Sequence, residues 1–186
     1  MEHNRIAARF ILIILLLSYL GPGATESRGG LHTSVRKYKN SVVSPEEIRK
    51  LSSFEHLIQY FSGFSYFVPH HKVSPDFIRA LILAESGANP MAVSSKNALG
   101  LGQIMLPTGK QAALELAEST TSFRYVSKKT LLDLQETDLF DPAVNILLTC
   151  YLVAKYNYKF DGKLDLVVSA WNAGENTRSL KSGRHA

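Results

Sequence analysis

A chain of 186 residues, 45% hydrophobic and 20% charged, has globular composition and length enough for one packed core, which excludes wholesale disorder. Its formal net charge of +5 favours an anionic partner, such as nucleic acid, a membrane face or an acidic cell-wall polymer. No nucleic-acid-binding signature accompanies the charge, so nucleic acid is not an expected partner, and the short cluster Arg36, Lys37 and Lys39 reads as a solvated linker.

At the N-terminus, His3, Arg5 and Arg9 precede an unbroken apolar run from Phe10 to Leu17, extended by Tyr19 and Leu20. Gly21, Pro22, Gly23 and Ala24 follow. A basic start, an apolar stretch of about a dozen residues and small residues after it predict a secretory signal peptide over residues 1–24. The run falls short of the roughly 20 apolar residues that span a bilayer. Pro22 is a poor neighbour for a cleavage site, so an uncleaved anchor stays open. No cysteine stands near the cut, so no lipid-modified cysteine is expected there. The expected location is the periplasm or cell envelope.

Residues 25–44 are rich in Ser, Gly, Lys and Arg without a sustained apolar period and read as a flexible tether. The folded domain is expected over 45–186. Ser44-Pro45-Glu46-Glu47 carries the signals of a helix start: a serine cap, proline at the first position and glutamate three residues after the cap. Ile48, Leu51, Phe54, Leu57, Ile58 and Phe61 then recur at helical spacing and predict one amphipathic helix. The neighbours His70 and His71 lack a metal-ligand spacing, and no acidic partner is evident, so neither metal nor cofactor is expected. Ser74-Pro75-Asp76 starts a second helix that runs to Ser86, with Gly87 as its stop.

Residues 88–107 mix Gly, Asn and Pro with apolar residues and predict a tightly turned loop with one short helix. Further helices are predicted over 109–118, over 128–135, and from Asp141-Pro142 through about Tyr158. Asp161-Gly162 is a turn, and Leu164, Val167, Val168 and Trp171 mark a last helix. Cys150, the single cysteine, excludes an internal disulfide and reads as a small core residue. No strand alternation persists. The expected class is all-α or nearly so.

Ile78, Leu81, Ile82 and Glu85 fall at i, i+3, i+4 and i+7 of the second helix, so Glu85 shares the apolar stripe. A carboxylate there loses hydration and faces the negative, carbonyl end of the helix. Both effects favour the protonated acid, which is the form a general acid must hold near neutrality.

Glu85-Ser86-Gly87 is followed by Asn89-Pro90, Ala92-Val93-Ser94, Ala98-Leu99-Gly100-Leu101 and Gln103-Ile104-Met105. Downstream stand Asp141-Pro142, Asn145-Ile146 and Ala170-Trp171-Asn172-Ala173-Gly174. This ordered set, from roughly Val73 to Arg178, resembles the catalytic domain of the soluble lytic transglycosylases. The resemblance implies a helical, goose-type-lysozyme-like domain with a substrate cleft. It implies Glu85 as single catalytic acid/base, and Ser94 placed to hydrogen-bond near that carboxylate and the sugar. Gln103 and Met105 would form the floor of the glycan groove, and Trp171 and Asn172 would face the acid across the cleft. The implied reaction cleaves the bond between N-acetylmuramic acid and N-acetylglucosamine in peptidoglycan glycan strands and leaves a 1,6-anhydro-muramoyl end.

Some positions depart from the family pattern. Trp171 replaces the usual tyrosine, and Gly102 the usual methionine, which is expected to remove a groove-lining side chain. Thr149 stands where a glycine is expected after Asn145-Ile146, the following aromatic falls at Tyr151, and Leu106 precedes Pro107, one position off the usual proline. Two other readings are compatible with the residues: a hydrolytic muramidase on the same fold, and a non-catalytic wall-binding component of a secretion apparatus. Family habit adds the expectation of a small, monomeric enzyme opening the wall for a secretion, conjugation or pilus apparatus.

Overall fold

The computed structural model of the protein describes residues 43–68 and 73–174. The predicted signal peptide, the tether up to residue 42 with its basic cluster, and the pair His70-His71 lie outside the described residues. The described residues form seven α-helices, a 3-10 helix and one two-stranded antiparallel sheet. They divide into two compact units, residues 43–155 and, beyond them, residues 156–174. The predicted class holds: the fold is helical, with two residues in each strand. No helix among the described residues is long and apolar enough to cross a membrane.

Helix α1 spans Pro45–Ser52 and opens on the predicted capping box. Ser44 Oγ accepts from the Glu47 amide at 3.2 Å, and Glu47 Oε2 accepts from the Ser44 amide at 2.7 Å. The single amphipathic helix expected from here is in fact two, because α1 stops at Ser52 and α2 covers Glu55–Ser62. The Ser52 hydroxyl donates to Arg49 O at 2.6 Å and so competes for the helix's own carbonyls. The Ser53 and Phe54 amides reach back only three residues, to Lys50 O and Leu51 O. The tightened turn ends at Phe54, with φ −102° and ψ 3°, and α2 starts after it with Leu57, Ile58 and Phe61 buried.

Helix α3, Pro75–Ser86, has the predicted boundaries. Its outer side is tied to α2 by Arg79, whose guanidinium donates to both oxygens of Glu55 and, at 2.6 Å, to Asp76 Oδ1. The pairing with Arg79 holds the Glu55 carboxyl below its ordinary value. Gly87 ends the helix in the left-handed region, φ +59°, with its amide on Leu83 O at 3.0 Å.

Strands β1, Ala98–Leu99, and β2, Ile104–Met105, replace the short helix expected in residues 88–107. They pair Ala98 with Met105 and Leu99 with Ile104, and Val93 bridges Leu99 from the other side. Helix α4, Leu106–Glu118, starts three residues before its expected position because Pro107 fits the first turn, where its missing N–H has no partner to lose. Helix α5, Lys128–Leu132, ends before residue 135 as Asp133 leaves helical geometry, and a 3-10 helix covers Glu136–Phe140.

Helix α6, Pro142–Lys159, opens at Asp141-Pro142 as predicted and is capped by Asp141, whose Oδ1 accepts from the Ala143 amide at 2.7 Å. Every residue from Val144 to Ala154 is buried, so this stretch is covered on all sides, and apart from Asn145 and Thr149 it is largely apolar. Each fully buried leucine or isoleucine there contributes roughly 1.5–3 kcal/mol. Cys150 is a core residue as predicted, 0% exposed, its thiol pushed up by burial. Helix α7, Leu164–Ala173, lies in the second unit, beyond the predicted turn at Asp161 and Gly162.

A polar cluster joins α4 to α6. Glu115 accepts Lys155 Nζ on both oxygens, at 2.8 and 2.9 Å, together with Tyr151 Oη at 2.7 Å and Gln111 Nε2 at 3.0 Å. Burial alone would raise the Glu115 carboxyl, but these donors outweigh it and hold the group below its ordinary value of 4.5. The resulting stability is complete above pH 4.5 and is lost as pH falls through the lower folded value. In urea denaturation at pH 7, Glu115→Gln is expected to cost about 1 kcal/mol, toward the low end because both partners keep contact with water. The gap between variant and wild type should close below pH 4.5; a gap that persists there would assign the loss to packing.

A Cβ built on Gly87 would lie 2.6 Å from Glu47 Oε1, in a backbone conformation that L-residues adopt at a cost. Gly87→Ala is therefore expected to destabilise by roughly 1–3 kcal/mol in the same assay. Glu47 also caps α1, so Glu47→Ala is measured alone as well, and a double variant less destabilised than the sum of the two singles would assign part of the cost to the clash.

Candidate functional site

The sequence-predicted residues on the first unit fall on the end of α3 and the segment that follows it. Ile78, Leu81 and Ile82 are buried, and Glu85 continues their stripe into the last turn, half-buried. Ser86 Oγ donates to Ile82 O at 3.1 Å, a back-bond onto the preceding turn of its own helix.

Past Glu85 the backbone turns sharply and repeatedly. Of the four non-glycine residues with positive φ among the described residues, Ala88, Asn97 and Gln103 all lie in this segment. Each such residue costs about 1 kcal/mol or more, and strain of this kind gathers at functional sites. Side chains hold the segment in shape. Asn89 Oδ1 accepts from the Met91 amide at 3.0 Å, an Asx turn that starts the bend.

Ser94 Oγ accepts from the amides of Ala98, at 2.9 Å, and Lys96, at 3.3 Å. A hydroxyl has two lone pairs and one proton, so both acceptor sites of Ser94 are spent on its own loop and the proton remains to donate. The structure thus gives Ser94 a loop-forming role in addition to the sugar contact inferred from the resemblance.

Gln103 behaves in the opposite sense. Its Nε2 donates to Ala92 O at 3.2 Å and to Gly100 O at 3.0 Å, which uses both amide protons and leaves Oε1 as acceptor. The Gly100 amide also donates to Ala92 O, at 2.9 Å, so three chain positions are fastened together. Met105 is 41% exposed on β2, and Met91 and Val93 are exposed on the same segment. An apolar surface beside one free hydroxyl proton and one free carbonyl oxygen can engage the C–H face and the polar rim of a sugar.

Trp171 and Asn172 belong to the second unit. The Trp171 indole packs edge-to-face on Tyr156, ring centres 6.3 Å apart at 73°, and is half-buried. Asn172 is exposed, and its Nδ2 donates to Val168 O at 2.9 Å within α7.

Two residues outside the predicted site bear on it. Asn145 of α6 bonds the segment through its side-chain amide, and a Cβ on Gly102 would point at Thr149 Oγ1, 2.3 Å away. Position 102 is buried against α6, so the exchange expected to strip a groove-lining side chain alters core packing instead. The signal for Asn145 is an amide within a helical stretch otherwise apolar all round, a pattern that demands internal partners. Among the described residues no three His, Cys, Asp or Glu side chains gather as a metal site would need.

Comparison with known proteins is consistent with this arrangement. A Haemophilus influenzae protein named as a soluble lytic murein transglycosylase is 36% identical over 104 residues. That match covers 56% of this chain but only 15% of the relative. No solved structure matches the chain. The sequence model of the transglycosylase SLT domain matches residues 69–185, well over half the chain and all of the segment built around Glu85. By that match the chain belongs to the transglycosylase SLT domain family.

Proposed function

We propose that the chain is a peptidoglycan lytic transglycosylase with Glu85 as its single acid/base. The observation that carries this reading is Glu85 half-buried at the end of the apolar stripe of α3, directly ahead of the fastened segment that holds Ser94 and Gln103. Family membership supports the same chemistry.

A glycosidase of the usual kind pairs two carboxylates, one to protonate the leaving oxygen and one to attack or to activate water. Of the acidic residues near the 3-10 helix, Asp138 accepts from the Gln135 amide, Asp133 is tied to the Gln135 side chain and Asp141 caps α6, so these three carry local structural tasks. A single acid suffices when the nucleophile is part of the substrate. The Glu85 carboxyl gives its proton to the oxygen between N-acetylmuramic acid and N-acetylglucosamine, and the C1–O bond breaks. The 2-acetamido oxygen supports the positive charge at C1. The muramoyl C6 hydroxyl then bonds to C1, its proton returns to Glu85, and a 1,6-anhydro ring closes with no water consumed.

Ser94, with only its proton to offer, suits an oxygen of the sugar or a carboxylate. Gln103, with only its carbonyl oxygen, suits a hydroxyl or amide N–H. Met105 and the indole of Trp171 offer apolar faces to sugar rings. The indole donates but cannot accept, so it does not replace every role of a tyrosine hydroxyl. The leader-like N-terminus and the basic charge favour action in the periplasm or cell envelope on an acidic polymer. Service to a secretion, conjugation or pilus apparatus as a monomer completes the reading.

The test is mass spectrometry of muropeptides released from purified sacculi. Wild-type protein should yield ends lighter by one water than reducing ends, and Glu85→Gln should lower their release by about 10²–10⁴-fold. Reducing ends alone would make the protein a hydrolytic muramidase. Binding to sacculi without release would make it a wall-binding component, and equal release by both proteins would remove Glu85 from its role.

A further inference from the structure

Asn145 is 0% exposed, yet its side chain is fully engaged. Its Oδ1 accepts from the Gly102 amide at 2.8 Å, and its Nδ2 donates to Leu99 O at 3.1 Å and to Leu139 O at 2.7 Å. All three partners are backbone atoms: Leu99 ends β1, Gly102 lies on the turn between β1 and β2, and Leu139 belongs to the 3-10 helix. A buried amide cannot recover these bonds from water, so the turn and the end of the 3-10 helix must come to it.

Two glycines allow the approach. Gly100 sits at φ +70°, and a Cβ there would stand 2.4 Å from Asn145 Nδ2 and 2.2 Å from Leu139 O. At Gly102 the obstruction would be Thr149 Oγ1, which is itself fixed by donation to Asn145 O at 2.8 Å. Threonine is stiff at χ1, so that oxygen does not swing aside cheaply. The turn therefore rests on α6 with backbone against side chain and no room between. Gln103 and Met105 are the residues that leave this turn.

We propose that Asn145, seated by Gly100, Gly102 and Thr149, is the positioning residue of the glycan-binding segment. It fixes the height and angle at which Gln103 and Met105 meet a sugar strand, and, being fully buried, it acts only through them. The inference rests on the reading of Gln103 and Met105 as glycan contacts. Glu85 lies on α3, to which Asn145 makes none of these bonds, so loosening the turn should weaken glycan binding more than proton transfer.

The experiment measures kcat and KM on soluble glycan strands, scored by anhydro ends, at a temperature where circular dichroism finds each variant folded. Asn145→Asp keeps the acceptor for Gly102 but removes the donors, and it should raise KM about tenfold with a smaller change in kcat. Gly102→Ala should act in the same direction by pressing on Thr149 Oγ1. Adding Thr149→Ala to Gly102→Ala should bring KM back toward wild type, since a methyl beside a methyl is ordinary contact. If Asn145→Asp does not fold, the Gly102 and Thr149 variants decide. A folded Gly102→Ala protein with unchanged KM, a loss confined to kcat, or no recovery in the double variant would each overturn the proposal. A wild-type protein that cleaves nothing overturns the catalytic reading instead, and the same variants are then compared by glycan Kd in calorimetry, where an unchanged Kd overturns the positioning role.

Discussion

Glu85 can stand at the end of a buried helical face only because α3 stops one residue later and the chain leaves it steeply. Gly87 and Ala88 both take left-handed geometry, and Ala88 is itself 0% exposed. Two such residues in succession reverse the backbone within a single step, so the last turn is not overrun by further helix. An extra helical turn would carry the chain onward along the α3 axis and cover the carboxylate with its own continuation. The abrupt exit lets a half-buried acid meet solvent at one edge while its helix stays packed on the other.

That exit has a cost which the following residues must meet. A segment with three left-handed non-glycine residues has only a two-residue ladder and one bridge to satisfy its amides and carbonyls, and buried ones cannot be left to water. Side chains take over the task. Ser94 accepts two amides, Gln103 donates to two carbonyls, and Asn145 does both from outside the segment. The division of labour has a chemical consequence. Each group bound into the loop presents its remaining valence in one defined sense, a proton from Ser94 and a lone pair from Gln103. A surface that offers one donor and one acceptor beside exposed methionines suits a ligand carrying hydroxyl and acetamido groups on apolar rings.

The helix ends were legible because caps act locally. Ser44, Ser74, Gly87 and Asp141 each do what their residue type does wherever a helix begins or ends. The break at Ser53 was not legible: the apolar spacing runs straight through it, and what cuts the helix is a tightened last turn that ends in non-helical backbone at Phe54. The small sheet escaped for a related reason. Two-residue strands have no alternation to detect, and they persist here because the turn between them is fastened to α6. Glu85, Ser94, Gln103 and Asn145 all stand in the motif set, but the sequence does not show that Asn145 is fully buried and bonded to three backbone atoms.

The departures from the family pattern separate on the same ground. Gly102 and Thr149 look like an unrelated loss and gain in the sequence, yet a Cβ at position 102 would point at the Thr149 hydroxyl. Bulk absent on the turn is present on α6, so the contact is refilled from the opposite side. Because that contact is buried, the exchange is compatible with an unchanged sugar-facing surface. Trp171 differs in kind. Its ring packs on Tyr156 inside its own unit, and replacing a phenol by an indole exchanges a group that both donates and accepts for one that only donates. Packing cannot restore a lone pair. Trp171 thus departs from the pattern in hydrogen-bonding chemistry, whereas Gly102 and Thr149 depart in buried packing.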